Sequence, residues 1–260
     1  MCRWLSSHFL DELAELDLFD ANVRVGPSAP HGHLSLQPDE LLAEMDRFHI
    51  RHALVSHWTA EEYDVATGHA ALARDLRPRF EPAWTAMPQP DLLRTLAARA
   101  PRAVRLSPNP KQGNYSLASW CSGALLELLQ HCGIVTLISS QDVAWDELAA
   151  LLGNFPRLPV VLLDVGYRAD RYLFPLLDRY PGLHCDSAMY LAHRQLEAFI
   201  EQRGAERILF GSRLPLYTPG SALGVLASAR VPDAARQAVA GENLRRLLAA
   251  AKPSLLEAPL

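Results

Sequence analysis

The side chains that could do chemistry in this chain cluster at the ends of short apolar runs. Asp20, Asn22 and Arg24 alternate within Leu18-Phe-Asp-Ala-Asn-Val-Arg24, and His57 follows Ala53-Leu-Val-Ser56. Arg105 sits in Ala103-Val-Arg-Leu-Ser107, Ser139 closes Val135-Thr-Leu-Ile-Ser139, and Asp164 closes Val160-Val-Leu-Leu-Asp164. Asp186 and Arg213 end the last two runs, with Trp84, Tyr167 and Arg168 in comparable positions. A carboxylate or imidazole so placed could serve as a general base, which makes Asp164, His57 and Asp20 the catalytic candidates. Guanidinium forks match carboxylate or phosphate, and arginine at such a site could stabilise an oxyanion. Asn22, Arg24, Arg105, Ser139, Tyr167, Arg168, Arg213 and Trp84 are therefore the ligand-binding candidates. A blander arrangement uses the same residues: the arginines pair with Asp20, Asp164 and Asp186 and neutralise buried carboxylates. A serine nucleophile at Ser139 or Ser212 has no recognisable elbow or paired histidine in the sequence.

What must position these residues is an alternation of strands and helices. Strands are expected at Leu18–Arg24, His52–Ser56, Phe80–Met87, Ala103–Ser107, Val135–Ser139, Val160–Asp164, Leu183–Asp186 and Ile208–Gly211. Amphipathic stretches lie between them, at Pro38–Phe48, Glu61–Asp75, Asp91–Arg99, Leu117–Cys132, Val143–Phe155, Ala169–Arg179 and Leu191–Glu201. Eight strands alternating with helices predict an α/β protein with a parallel sheet, closed into a (β/α)8 TIM barrel. A doubly wound open sheet is the alternative, but Gly26 and Gly32 make no glycine-rich phosphate loop. One domain over residues 1–260 is expected, with a helix over 1–16 crossing the barrel base and a loose tail over 253–260. Barrel geometry then sends the strand-end side chains to one mouth, with some turned outward by strand alternation.

Composition narrows the partners. The chain carries 25 Lys and Arg against 29 Asp and Glu, a formal charge of −4. No basic run suggests nucleic acid and no polybasic patch suggests a membrane surface. No apolar stretch approaches the length of a membrane span. The four cysteines are scattered without a Cys-x-x-Cys motif, which fits reduced thiols and a cytoplasmic location. The expected partner is a small anionic molecule, and a homo-oligomer stays open.

The ordered motifs carry a resemblance. Leu18-Phe-Asp-Ala-Asn-Val-Arg-Val-Gly26 looks like an opening strand, Asp39–Ile50 with Ala53-Leu-Val55 like the following helix and second strand, and Phe155–Leu163 like the lead into strand six. Arg207–Pro219, with Phe210-Gly-Ser212 and Pro215, looks like the last strand and its turn. Together they resemble the amidohydrolase-related group of the amidohydrolase superfamily, which includes decarboxylases and lactonases acting on small carboxylates. The resemblance implies a metal site built from Asp-x-His-x-His on strand one, histidines after strands five and six, and an aspartate after strand eight. In this chain those positions read Asp20-Ala-Asn22-Val-Arg24, Ser139, Asp164 and Arg213. Only Asp20 matches. Imidazole and carboxylate hold zinc or manganese, whereas a guanidinium stays protonated and repels a cation.

No metal and no cofactor are therefore expected. His31-Gly-His33 sits in a Pro/Gly loop and reads as solvated, while His57, beside Trp58, is the one histidine expected near the mouth. The resemblance, read with these residues, implies two functions: a metal-independent hydrolase, lactonase or lyase on a small anionic organic acid, or a non-catalytic relative that binds a small ligand or a partner protein. A metal hydrolase with shifted ligands at His31, His33 or His57 is the third. Arg213 is expected to fill the metal's place and to bond Asp20 or Asp164.

Overall fold

The structure, a computed structural model, describes residues 14–257. Eight parallel strands run in the order β1 to β8: β1 (Phe19–Val25), β2 (His52–His57), β3 (Phe80–Thr85), β4 (Ala103–Leu106), β5 (Val135–Ser139), β6 (Val160–Leu163), β7 (Leu183–Asp186) and β8 (Ile208–Leu209). The sheet closes where the Ala21 N–H donates to the Phe210 carbonyl at 2.9 Å and the Arg24 N–H to the Leu214 carbonyl at 3.0 Å. This is a TIM barrel, as the alternation predicts. The expected helix over 1–16 lies almost wholly outside the described residues, and the expected tail begins as a 3₁₀ turn, Pro253–Glu257.

Strand alternation sorts the side chains. Val104, Leu106, Ile138, Val160 and Leu162 face the helices, while Leu54, Ala83, Ala103, Val135, Leu137, Val161, Leu163 and Leu209 fill the interior. In β2 to β5 the interior row continues toward the C-terminal end of the strand with a polar residue: Ser56 after Leu54, Thr85 after Ala83, Arg105 after Ala103, Ser139 after Leu137. The barrel is thus apolar below and polar at its mouth, where active sites of this architecture lie. In β1 the register with β2 shifts between Asp20 and Val23. Such a bulge re-aims side chains: Phe19 and Ala21 fill the interior before it, whereas Asn22 and Arg24 reach the mouth after it.

Two helices differ from expectation in a way that matters. The stretch 61–75 is not continuous: α2 (Trp58–Glu62) and α3 (Val65–Asp75) follow α1 (Pro38–Arg47) and are separated at Tyr63-Asp64. Asp64 explains the break, because its carboxylate accepts from the Thr67 N–H at 2.7 Å and starts a new helix. The short α2 begins directly at the end of β2 and carries Glu61 back over the barrel mouth. β3 also stops at Thr85 rather than Met87, since Pro88 and Pro90 supply no ladder donor and turn the chain.

Candidate functional site

The mouth is built from two linked clusters of buried ions. In the first, Arg24 Nε lies 3.1 Å from both oxygens of Glu61, Arg105 Nε lies 3.4 Å from Glu61 Oε2, and the Ser56 hydroxyl donates to Glu61 Oε1 at 2.9 Å. The Glu61 and Arg105 side chains are 0% and 1% exposed. Burial alone would raise the Glu61 carboxyl, but the Arg105 and Arg24 charges outweigh it and hold the group below its ordinary range. The Trp58 ring lies 4.5 Å from the Arg24 guanidinium carbon and covers it with a π face.

In the second cluster, the Asn22 side-chain amide donates to Asp164 Oδ1 at 2.9 Å and to Asp186 Oδ2 at 2.8 Å. Ser139 donates to Asp164 Oδ2 at 2.8 Å, and Arg213 Nε approaches Asp164 Oδ1 to 3.1 Å while its Nη2 donates to Gln141 at 3.1 Å. The Asp164 N–H donates to Asp186 Oδ1 at 2.9 Å. The clusters join where Arg105 Nη2 reaches Asn22 Oδ1 at 3.4 Å. Asp164 and Arg213 both hold left-handed backbone, at φ 62° and 61°. Left-handed non-glycine residues cost roughly 1–3 kcal/mol each and gather at functional sites. Gly211 has a role beside them: a Cβ there would lie 2.7 Å from Asp186 Oδ2.

Three carboxyls near the axis are held in different states. Burial would raise Asp164, but the Arg24, Arg213 and Arg105 charges bring it below its usual range. Asp186 is raised to about 8, first by burial and then by the Asp164 charge, so it carries a proton at neutral pH. Asp20 is raised to about 6 by burial, against the backbone N–H groups of Asn22 and Ser212, each 3.0 Å from its Oδ1. A carboxyl raised from its unfolded value near 4 to about 8 contributes stability that is full below pH 4 and is lost as pH rises toward 8. The depressed histidines His52, His57, His69 and His184 act in the opposite sense, an effect that fades above about pH 7.5 as their unfolded forms lose the proton. Between pH 7 and 8, the Asp186 contribution to unfolding free energy is therefore expected to fall by about 1 kcal/mol. Urea titrations across that range check it: the difference between wild type and Asp186→Asn should carry that fall, and a difference that does not vary with pH would assign the proton elsewhere.

Of the sequence candidates, the mouth brings together Asn22, Arg24, Arg105, Ser139, Asp164 and Arg213. Asp20 sits beneath them, bonded to the Ser212 backbone rather than to Arg213. His57 does not join. It follows the inward Ser56 by one residue, so alternation turns it into the helix layer. There its Nδ1 accepts from the Thr59 N–H at 3.1 Å as a helix cap, its Nε2 lies 3.4 Å from Asp75 Oδ2, and burial lowers its pKa. Gly26, at φ 84°, admits the ring: a Cβ there would fall 2.3 Å from it. Trp84 likewise faces outward, edge-on to His69 at 5.2 Å and 4.2 Å from the Arg99 guanidinium. Tyr167 and Arg168 form an exposed pair on the rim, with Arg168 Nε donating to the Tyr167 hydroxyl at 3.1 Å. Glu61, Ser56 and Gln141 are central to the geometry and were not singled out by the motifs. A glutamate five residues beyond an inward-facing Ser56 was the available signal for Glu61.

The donor set at the positions implied for a metal is an amide, a hydroxyl, two guanidinium groups and the carboxylates Asp20 and Asp164. Asp164 already meets Asn22, Ser139 and Arg213, and a guanidinium repels a divalent cation. Among the described residues, no three His, Cys, Asp or Glu side chains come together as metal ligands. The residues present do not fit a divalent metal.

Comparisons agree with the architecture. A family model described as Amidohydrolase matches residues 16–249. No curated relative matches the sequence significantly. Among solved structures, a 2,6-dihydroxybenzoate decarboxylase from Rhizobium superposes with a TM-score of 0.72 at 15% identity, over 90% of this chain and 99% of that one. A dihydroxybenzoic acid decarboxylase from a Polaromonas species, with bound manganese and the inhibitor 2-nitroresorcinol, gives 0.74 at 13% identity over 94% and 98%. An uncharacterised TIM-barrel protein of Bordetella bronchiseptica gives 0.69 at 17% identity over 90% and 98%. At these identities the structural likeness speaks for the fold, and the match over nearly the whole barrel speaks for the family: this chain belongs to the amidohydrolase family.

Proposed function

We propose that this chain is a family member that works without a divalent metal, and that its barrel mouth binds a small organic acid without turning it over. The observation that carries this reading is Arg213, whose Nε stands 3.1 Å from Asp164 Oδ1 at the position where the family places a metal-binding aspartate. A fixed guanidinium there supplies the positive charge that the neighbouring carboxylate needs. The remaining groups are poor reaction machinery. Asp164 is held below its normal range and is a weak base, and Asp20 and Asp186 are fully buried. Arg24 and Arg105 spend their charge on Glu61. Arg213 is the most accessible of the three arginines: its side chain is 11% exposed against 7% for Arg24 and 1% for Arg105. Its Cζ lies 5.1 Å from the Tyr217 ring centroid, so an aromatic wall stands beside the charge. Solved relatives that bind dihydroxybenzoate or nitroresorcinol favour an aromatic acid as the ligand class.

Calorimetry with 2,6-dihydroxybenzoate, alongside a carbon dioxide assay, tests the reading. Saturable binding that Arg213→Gln weakens about tenfold or more, with no carbon dioxide released, is expected. Decarboxylation that depends on added manganese would contradict it.

A second reading, a metal-independent hydrolase or lyase on the same class of acid, rests on one observation. Asp20 and Asp186, at about 6 and about 8, bracket neutrality in the way an acid–base pair does. A bell-shaped pH–rate profile, with limbs abolished separately by Asp20→Asn and Asp186→Asn, would favour it.

A further inference from the structure

A second cavity, of about 240 Å³, opens beside the ion clusters over the ends of β3 and β4. That is about eight times the volume one water takes in the liquid. Its floor is Thr85 and Ser107, each 3% exposed. Alternation places them there: Thr85 stands opposite Arg105 in the β3–β4 ladder, and Ser107 lies two residues beyond Arg105. The Tyr115 hydroxyl ties the two strand ends together, accepting from the Ser107 N–H and donating to the Ala86 carbonyl, both at 3.2 Å. The floor is therefore fixed before anything binds. Yet Thr85 Oγ1 and Ser107 Oγ find no protein partner among the described residues. Buried hydroxyls are normally paired, and leaving two unpaired is costly.

The walls set the charge of what could pair with them. Glu62 and Asp64 line the cavity together with Glu61, whose charge Arg24 and Arg105 already balance; Gln89 and Gln112 add amides, and among the described residues no lysine or arginine lines it. Glu62 accepts from the Ser28 hydroxyl and the Ala29 N–H, and Asp64 caps α3, so both carboxylates are fixed acceptors with further lone pairs. An anion would meet repulsion here. A molecule rich in hydroxyl groups would donate to the carboxylates and amides and pair with Thr85 and Ser107.

We propose that this cavity, which adjoins the Glu61 cluster but is not lined by Arg213, is a binding site for a small uncharged polyol, independent of the organic-acid reading. Glycerol, erythritol and D-glucose serve as probes in saturation-transfer NMR, with acetate and ethylammonium as charge controls. At least one polyol should bind the wild-type protein, and Thr85→Val and Ser107→Ala should each weaken it tenfold or more. Arg213→Gln should leave polyol binding unchanged, which separates this site from the mouth. Thr85→Val is close to isosteric and removes an unpaired hydroxyl, so without ligand its Tm should equal or exceed that of the wild type. No polyol binding at tens of millimolar would make the cavity a water pocket and overturn the proposal. Equal binding in the two hydroxyl variants, or tighter binding of ethylammonium or acetate than of any polyol, would overturn it as well.

Discussion

Glu61→Ala is expected to be the most damaging single substitution at the barrel mouth, lowering stability by about 3–5 kcal/mol. Glu61 is the carboxylate that Arg24 and Arg105 share, and both guanidinium groups are buried. Removing it strips two charges of their common partner, and the cost of breaking one buried pair is already of that size. Desolvation cannot be recovered by rotation to solvent, because Arg105 is held between Ser56 and Asn22 at 3.4 Å on either side. For a chain of this length the loss corresponds to a drop in Tm on the order of 10 °C. Glu61→Gln should recover part of it, since an amide oxygen still accepts from Arg24 and Ser56. Thermal melts of the two variants check the order, and a wild-type Tm in Glu61→Ala would mean that the arginines are balanced elsewhere.

Arg213→Ala is expected to cost about 2 kcal/mol. The figure is below that for Glu61 because the Arg213 side chain is partly exposed, and solvent screens part of its interaction with Asp164. Relief of the left-handed backbone at position 213 is not expected, since alanine tolerates φ 61° no better than arginine. The more telling result is a shift in protonation. Without Arg213, Asp164 and Asp186 share Asn22 with less positive charge nearby, so Asp164 should titrate upward toward its ordinary range. Carbonyl-region NMR of labelled aspartates reads that shift directly. Unchanged Asp164 titration together with unchanged Tm would show that Arg213 serves a ligand and not the fold.

The barrel was legible from periodicity because its signal is redundant. Eight apolar runs each predict a strand, and the observed strand ends lie within two residues of expectation, the largest differences being β3, where prolines follow Thr85, and β8, which stops at Leu209 rather than Gly211. The mouth was legible only in part. Asn22, Asp164 and Arg213 lie where ordered motifs place them, since each is fixed by its distance from a strand end. Inward or outward facing was harder, because one residue of register decides it. His57 and Trp84 both fell on the helix side of their strands for that reason. Glu61 was hidden because its position depends on a helix break set by Asp64 capping Thr67, a local hydrogen bond that helical periodicity over 61–75 does not reveal. The left-handed conformation of Arg213 leaves no trace in residue type, since glycine, asparagine or aspartate would be the usual signal, and at Asp164 the aspartate is only a weak one.

The metal content of the protein tests the central claim most directly. Protein purified without chelator should contain far less than one equivalent of zinc or manganese by elemental analysis. Manganese added in a calorimeter should give no saturable heat, in the wild type and equally in Arg213→Asp, where the imidazole ligands are still missing. About one equivalent of metal, lost when Asp20 or Asp164 is replaced by alanine, would contradict a mouth whose positive charge comes from Arg213.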